Sequence, residues 1–104
     1  MAGLDIETSV RSGNPITTIV LNNGTMGGYN HHQPTAMEVF GAGNMTGSYS
    51  TVATGLGALG INVEKPEEIG PAIKKAQEAN SNGQSALLDV KTQQEDKFSQ
   101  YPLN

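Results

Sequence analysis

Ile16-Thr17-Thr18-Ile19-Val20-Leu21-Asn22-Asn23-Gly24-Thr25 is the stretch on which the fold turns. Ile16 to Leu21 is β-branched or apolar throughout, closed off by Pro15 on one side and by Asn22-Asn23-Gly24 on the other. An apolar run of this length between turn residues predicts a strand buried on both faces, as in a parallel sheet. Upstream, Leu4 to Arg11 reads as a short helix. Ile6 and Val10 share one face, and Asp5 and Glu7 suit the positive N-terminal end. Gly13 fits a left-handed cap and Pro15 forbids continuation. Helix, tight connection and buried strand together are the rhythm of an α/β fold.

Downstream, Asn22 to Ser48 is long, irregular and rich in Gly and Asn, with one helical turn expected over Ala36 to Phe40. A loop of this length in a compact domain usually carries function or is disordered. Val52, Leu56 and Leu59 give helical spacing over Tyr49 to Leu59, and Ile61 to Val63 suits a short strand. Pro66 to Ala79 predicts the best helix, with Ile69, Ile73 and Ala76 as its apolar stripe and Pro66 at its start. Pro71 should loosen or kink its first turn. Ser81-Asn82-Gly83 ends it, and Ala86 to Val90 predicts a second buried strand. The expected order is α-β-loop-α-β-α-β. This is a partial three-layer α/β/α fold on a small parallel sheet over residues 1–92, followed by a polar tail over 93–104.

Composition narrows the function. The 104 residues make one domain at most, with no Trp, two Phe and thirteen Gly. A chain this size buries only about two thirds of its unfolded surface, so a partner surface is expected. A net charge of -4 argues against nucleic-acid binding, which needs a basic stripe to neutralise phosphates. No apolar run is long enough to span a bilayer, and the N-terminus lacks a signal-peptide pattern, so a cytoplasmic location without membrane contact is expected. There is no Cys, hence no disulfide.

The chemistry is expected at Asn22-Asn23-Gly24-Thr25-Met26-Gly27-Gly28. In open α/β sheets, ligands bind beyond the C-terminal ends of strands. An Asn oxygen is a hard neutral ligand suited to Mg²⁺, and glycines admit a phosphate close to the backbone. An ordinary Asn-Gly turn would show the same residues. Two other patterns are weaker. Gly55-Leu56-Gly57-Ala58-Leu59-Gly60 fits G-x-G-x-x-G, but it closes a helical pattern instead of following a strand. It therefore points to close packing and chain reversal. His31-His32 with Glu38 could suggest a metal site, but adjacent histidines lack the usual ligand spacing and read as solvated loop residues.

Several segments together carry a family resemblance. They are Leu4-Asp5-Ile6-Glu7-Thr8-Ser9-Val10-Arg11, Asn14-Pro15-Ile16, Ile19-Val20-Leu21-Asn22-Asn23-Gly24-Thr25, Lys65-Pro66-Glu67-Glu68-Ile69, Pro71-Ala72-Ile73-Lys74-Lys75-Ala76 and Ala86-Leu87-Leu88-Asp89-Val90. In this order the chain resembles the C-terminal domain of thiamine-diphosphate-dependent enzymes, in the subgroup of acetolactate synthase and benzoylformate decarboxylase. The resemblance implies two cofactors, thiamine diphosphate and Mg²⁺. It places the ion on the Asn23 side chain and the Thr25 main chain, with Met26 and Gly27 against the diphosphate. It also implies 2-oxo acid chemistry, in which the cofactor ring holds the electrons as carbon dioxide leaves.

The family's charged metal ligand comes from a Gly-Asp-Gly expected just before Leu4, and the sequence here starts at Met1. Its catalytic Glu lies in a separate domain. No catalytic residue is therefore expected within these residues, and the ion, held by neutral oxygens, should bind weakly. The expected partner is the missing half of the domain or another enzyme chain, with self-association into a homo-oligomer through an open sheet edge. The alternative expectation is a free-standing interaction or oligomerisation domain that kept the fold and lost the cofactor. In a complete enzyme, His31 or His32 would be candidates to touch substrate.

Overall fold

The computed structural model describes residues 3–26 and 32–93. Gly27, Gly28, His31 and the tail from residue 94 onward lie outside the described residues. The elements run α1 (Gly3–Ser12), β1 (Thr17–Asn22), α2 (Pro34–Phe40), α3 (Tyr49–Gly55), β2 (Leu59–Val63), a 3-10 turn (Pro66–Glu68), α4 (Ile69–Ser81) and β3 (Ala86–Lys91). The strands form one parallel sheet in the order β1-β3-β2.

α1 ends as its sequence predicts. Gly13 takes φ 71°, the Gly13 amide donates to the Val10 carbonyl at 3.3 Å, and the Asn14 amide donates to the Ser9 carbonyl at 3.1 Å. This paired closure is the Schellman motif. The exposed Glu7–Arg11 pair at 3.1 Å adds little, since solvated ion pairs are worth well under about 1 kcal/mol.

The register sorts every strand residue to one of two faces. Ala86, Leu88 and Val90 of β3 align with Leu59, Ile61 and Val63 of β2, and all pack under Ala72, Ala76 and Ala79 of α4. On the opposite face, Leu87 packs with Ile6 of α1, Ala53 of α3 and Ala58. The sheet is thus a middle layer with α1 and α3 on one side and α4 on the other. α1 and α3 stand apart, leaving a cavity of about 390 Å³ between them.

Several expectations change. The buried stripe of α4 is Ala72, Ala76 and Ala79, while Ile69 and Ile73 lie at its margin, more than a third exposed. Alanine has no side chain beyond Cβ, so this face brings the helix backbone closest to the sheet. The helix also begins later than Pro66. A 3-10 turn comes first, which puts Pro71 in the first α-helical turn, where its missing N–H costs nothing. Finally, β1 is an edge strand among the described residues. Its Thr17, Ile19 and Leu21 face the α4 side, but α4 lies over β3 and β2. Ile19 is therefore 51% and Leu21 72% exposed.

α3 is shorter than its apolar spacing predicts. It starts at Tyr49 behind Ser48, whose hydroxyl accepts from the Thr51 amide, and stops at Gly55. Gly57 then reverses the chain at φ 93° into β2, which begins at Leu59. Gly60 sits directly beneath α3. A Cβ built there would lie 2.1 Å from the Ser50 carbonyl oxygen. The G-x-G-x-x-G string is therefore a helix end, a reversal and a packing contact, as its failed context implied.

Candidate functional site

β1 delivers Asn22 to the C-terminal edge of the sheet, and the chain turns there. The Asn22 carboxamide oxygen accepts from the Gly24 amide at 3.0 Å, and the Asn23 oxygen accepts from the Thr25 amide at 3.0 Å. Two overlapping side-chain turns thus shape the segment, a use for which Asn is suited. Gly24 takes φ 74°, a conformation that costs a residue with a Cβ roughly 1–2 kcal/mol.

The long loop returns to clamp this turn. Thr25 and Asn44 form an antiparallel bridge, with the Met26 amide donating to the Gly43 carbonyl at 2.6 Å and the Met45 amide donating to the Gly24 carbonyl at 2.8 Å. The bridge uses the carbonyls of Gly24 and Gly43. Among the described residues, the Thr25 carbonyl accepts no hydrogen bond. Beside it lies a cleft of about 130 Å³ whose lining includes Asn23, Thr25, Met45 and Tyr49. Water occupies roughly 30 Å³ per molecule in the liquid, so the cleft suits a hydrated ion or a phosphate-sized group.

The donor set fits a hard cation. Asn23 Oδ1 and the Thr25 carbonyl are neutral oxygens of one short turn, the ligand type Mg²⁺ takes. The Thr25 hydroxyl also donates to Asn23 Oδ1, at 3.1 Å. It can rotate away when an ion arrives, leaving the Thr25 amide bond in place. Met26 follows, half-exposed at the mouth of the turn. Among the described residues, no group of three or more His, Cys, Asp or Glu is placed to hold a metal. His32 and Glu38 are exposed, and His31 lies outside the described residues.

Sequence order missed the partner of Asn22. Its Nδ2 donates to Asp89 Oδ1 at 3.0 Å, across a separation of 67 residues. Asp89 is 1% exposed in the middle of β3. On the neighbouring strand, Asn62 accepts from the Ser50 hydroxyl at 2.8 Å. A polar band therefore crosses the C-terminal end of this sheet face.

A parallel sheet with helices on both faces, and an oxygen-lined turn at the end of an edge strand, define an α/β domain of the cofactor-binding type. Residues 1–90 match the thiamine pyrophosphate enzyme, C-terminal TPP binding domain. The chain belongs to that family. It is 34% identical over 90 residues to sulfoacetaldehyde acetyltransferase of Castellaniella defragrans, covering 85% of this chain and 15% of that protein. It is 31% identical over 93 residues to sulfoacetaldehyde acetyltransferase of Alcaligenes xylosoxydans xylosoxydans, covering 86% of this chain and 15% of that protein. It is 32% identical over 87 residues to the acetolactate synthase large subunit of Corynebacterium glutamicum, covering 77% of this chain and 14% of that protein. The chain thus spans about 15% of the length of the curated relatives it matches. Among the described residues, no helix is long and apolar enough to cross a membrane.

Proposed function

We propose that this chain supplies the diphosphate-anchoring portion of a cytoplasmic 2-oxo acid decarboxylase or acetolactate synthase-like enzyme. The observation that carries the reading is the Asn22–Thr25 turn, with the Asn23 carboxamide oxygen and the Thr25 carbonyl beside one cleft at the end of β1. In this reading the Asn23 side chain and the Thr25 main chain hold Mg²⁺, and Met26 and Gly27 contact the diphosphate of thiamine diphosphate. The cofactor, when bound, supplies a carbanion and an electron sink for 2-oxo acid chemistry. The chain's own residues bind and orient it, and acid-base work belongs to other parts of the enzyme. The acetolactate synthase relative supports this class.

Neutral oxygens give a divalent ion little charge compensation, so binding to the 104-residue chain is expected to be weak. Titration with Mg²⁺ and thiamine diphosphate, followed by the amide resonances of Asn23 to Thr25, tests the reading. Shifts that saturate only with both ligands present are expected. Asn23→Ala should raise the dissociation constant by roughly tenfold or more, as losses at metal sites do. Resonances that do not respond at millimolar ligand would exclude the reading for this chain.

The same proposal assigns the partner surface to β1. Its outer edge pairs with no strand among the described residues, and Ile19 and Leu21 project from it into solvent. An open apolar edge of this kind pairs with another chain. Sedimentation is expected to show dimers or larger species that Leu21→Lys shifts toward monomer. A monomeric parent would remove the claim.

A further inference from the structure

We propose that Asp89 is the positioning residue of the Asn22–Thr25 turn. This rests on the proposed cofactor role for its purpose, though not for its geometry. Asp89 stands 1% exposed among Leu87, Leu88 and Val90, where a carboxyl group is costly to keep unless it has a partner. Its recorded partner is the Nδ2 of Asn22, at 3.0 Å.

That bond and the one to the Gly24 amide together fix how Asn22 faces. The Gly24 amide can only donate, so the carboxamide atom that meets it at 3.0 Å is Oδ1. Nδ2 is then turned inward to the Asp89 carboxyl oxygen. The order of restraint runs from the central strand to Asn22, from Asn22 to the Gly24 amide, and on to the Asn23–Thr25 turn beyond it. A side chain of the sheet interior thereby fixes the segment that would hold the ion, without touching ion or cofactor itself.

The adjoining Asn23-Gly24 peptide supplies a readout that needs no cofactor. Deamidation there begins when the Gly24 nitrogen, having lost its proton, bonds to the Asn23 carboxamide carbon and ammonia leaves. Water then opens the cyclic imide to aspartate or isoaspartate. A Gly24 N–H held by Asn22 keeps its proton and is poorly placed to attack. Asn82-Gly83 is the same dipeptide in an exposed turn after α4, ahead of the N-terminal end of β3, where the Gly83 amide donates to the Asn80 carbonyl at 3.0 Å, and it serves as the internal reference.

Two measurements on the 104-residue chain test the proposal. In the parent, the Gly24 amide should exchange with solvent more slowly than in a free peptide; exchange at the free-peptide rate would overturn the proposal by itself. Peptide mapping of aged protein should then show Asn23 deamidating roughly tenfold faster in Asn22→Asp, where two carboxyl groups face each other, and in Asp89→Ala. The Asn82 rate should be unchanged. The exchanged pair, Asn22→Asp with Asp89→Asn, restores a donor opposite an acceptor and should return Asn23 to the parental rate. Equal Asn23 rates in all folded variants, or no rescue by the exchanged pair, would refute the role of Asp89. A chain that passes these tests yet never responds to thiamine diphosphate and Mg²⁺ would refute the cofactor reading alone.

Discussion

Leu88→Ala is expected to destabilise the fold by about 2–5 kcal/mol, the range for emptying a large aliphatic side chain from a packed core. Leu88 is 0% exposed in the central strand and sits under Ala72, Ala76 and Ala79. Alanines cannot swing a longer side chain into the space, so the cavity stays open. Domains have only about 5–15 kcal/mol in total, and each kcal/mol lowers the melting temperature by roughly 4–8 °C at this size. Urea unfolding followed by circular dichroism measures the loss directly. A shift below about 1 kcal/mol would mean that α4 settles onto the sheet as the side chain is removed.

Gly60→Ala should be nearly as damaging, for the opposite reason. The added carbon would meet the Ser50 carbonyl oxygen at 2.1 Å and the Thr54 hydroxyl at 2.9 Å. α3 must then lift from β2, stretching the Ser50–Asn62 hydrogen bond and loosening Ala53 from Leu87. Overpacking of this kind typically costs about 1–3 kcal/mol and occasionally more. Gly55→Ala, five residues earlier in the same glycine string, meets nothing within 4 Å. It should be neutral or stabilising by roughly 0.4–1 kcal/mol. Thermal melts of the two variants compare them directly. Equal effects at both positions would contradict the packing role given to Gly60.

Much of this architecture is legible in local pattern. The apolar run before Asn22-Asn23-Gly24 gives β1, and Gly13 marks the end of α1. The Asn-Gly step at the end of β1 marks the turn, and Gly24 takes the left-handed conformation that a glycine there allows. What local pattern hides is distance and coverage. An apolar strand reads the same whether both faces are covered or, like Ile19 and Leu21, one is left in solvent. Helical periodicity weights large side chains and so favours Ile69 and Ile73, whereas close approach to the sheet selected Ala72, Ala76 and Ala79. Asp89 gave a usable signal. One acidic residue inside Ala86-Leu87-Leu88-Asp89-Val90 implies a buried partner, since such groups are seldom enclosed unpaired. Its partner, on a strand far away in sequence, could be found only from the fold.

The strand order β1-β3-β2 also sets a schedule. β3 follows β1 and β2 in the chain, yet it holds both of them. During synthesis β1 and β2 leave the ribosome with no sheet neighbour among the described elements. Val20 and Val63 lack the cover of Leu87, Leu88 and Val90 until Ala86 to Lys91 arrive between the two strands. Assembly that waits on such distant pairings is slow and leaves sticky segments open in the meantime. A nascent chain stalled before Ala86 has no sheet to form among the described strands, so its demand for chaperone protection is greatest just before β3 emerges.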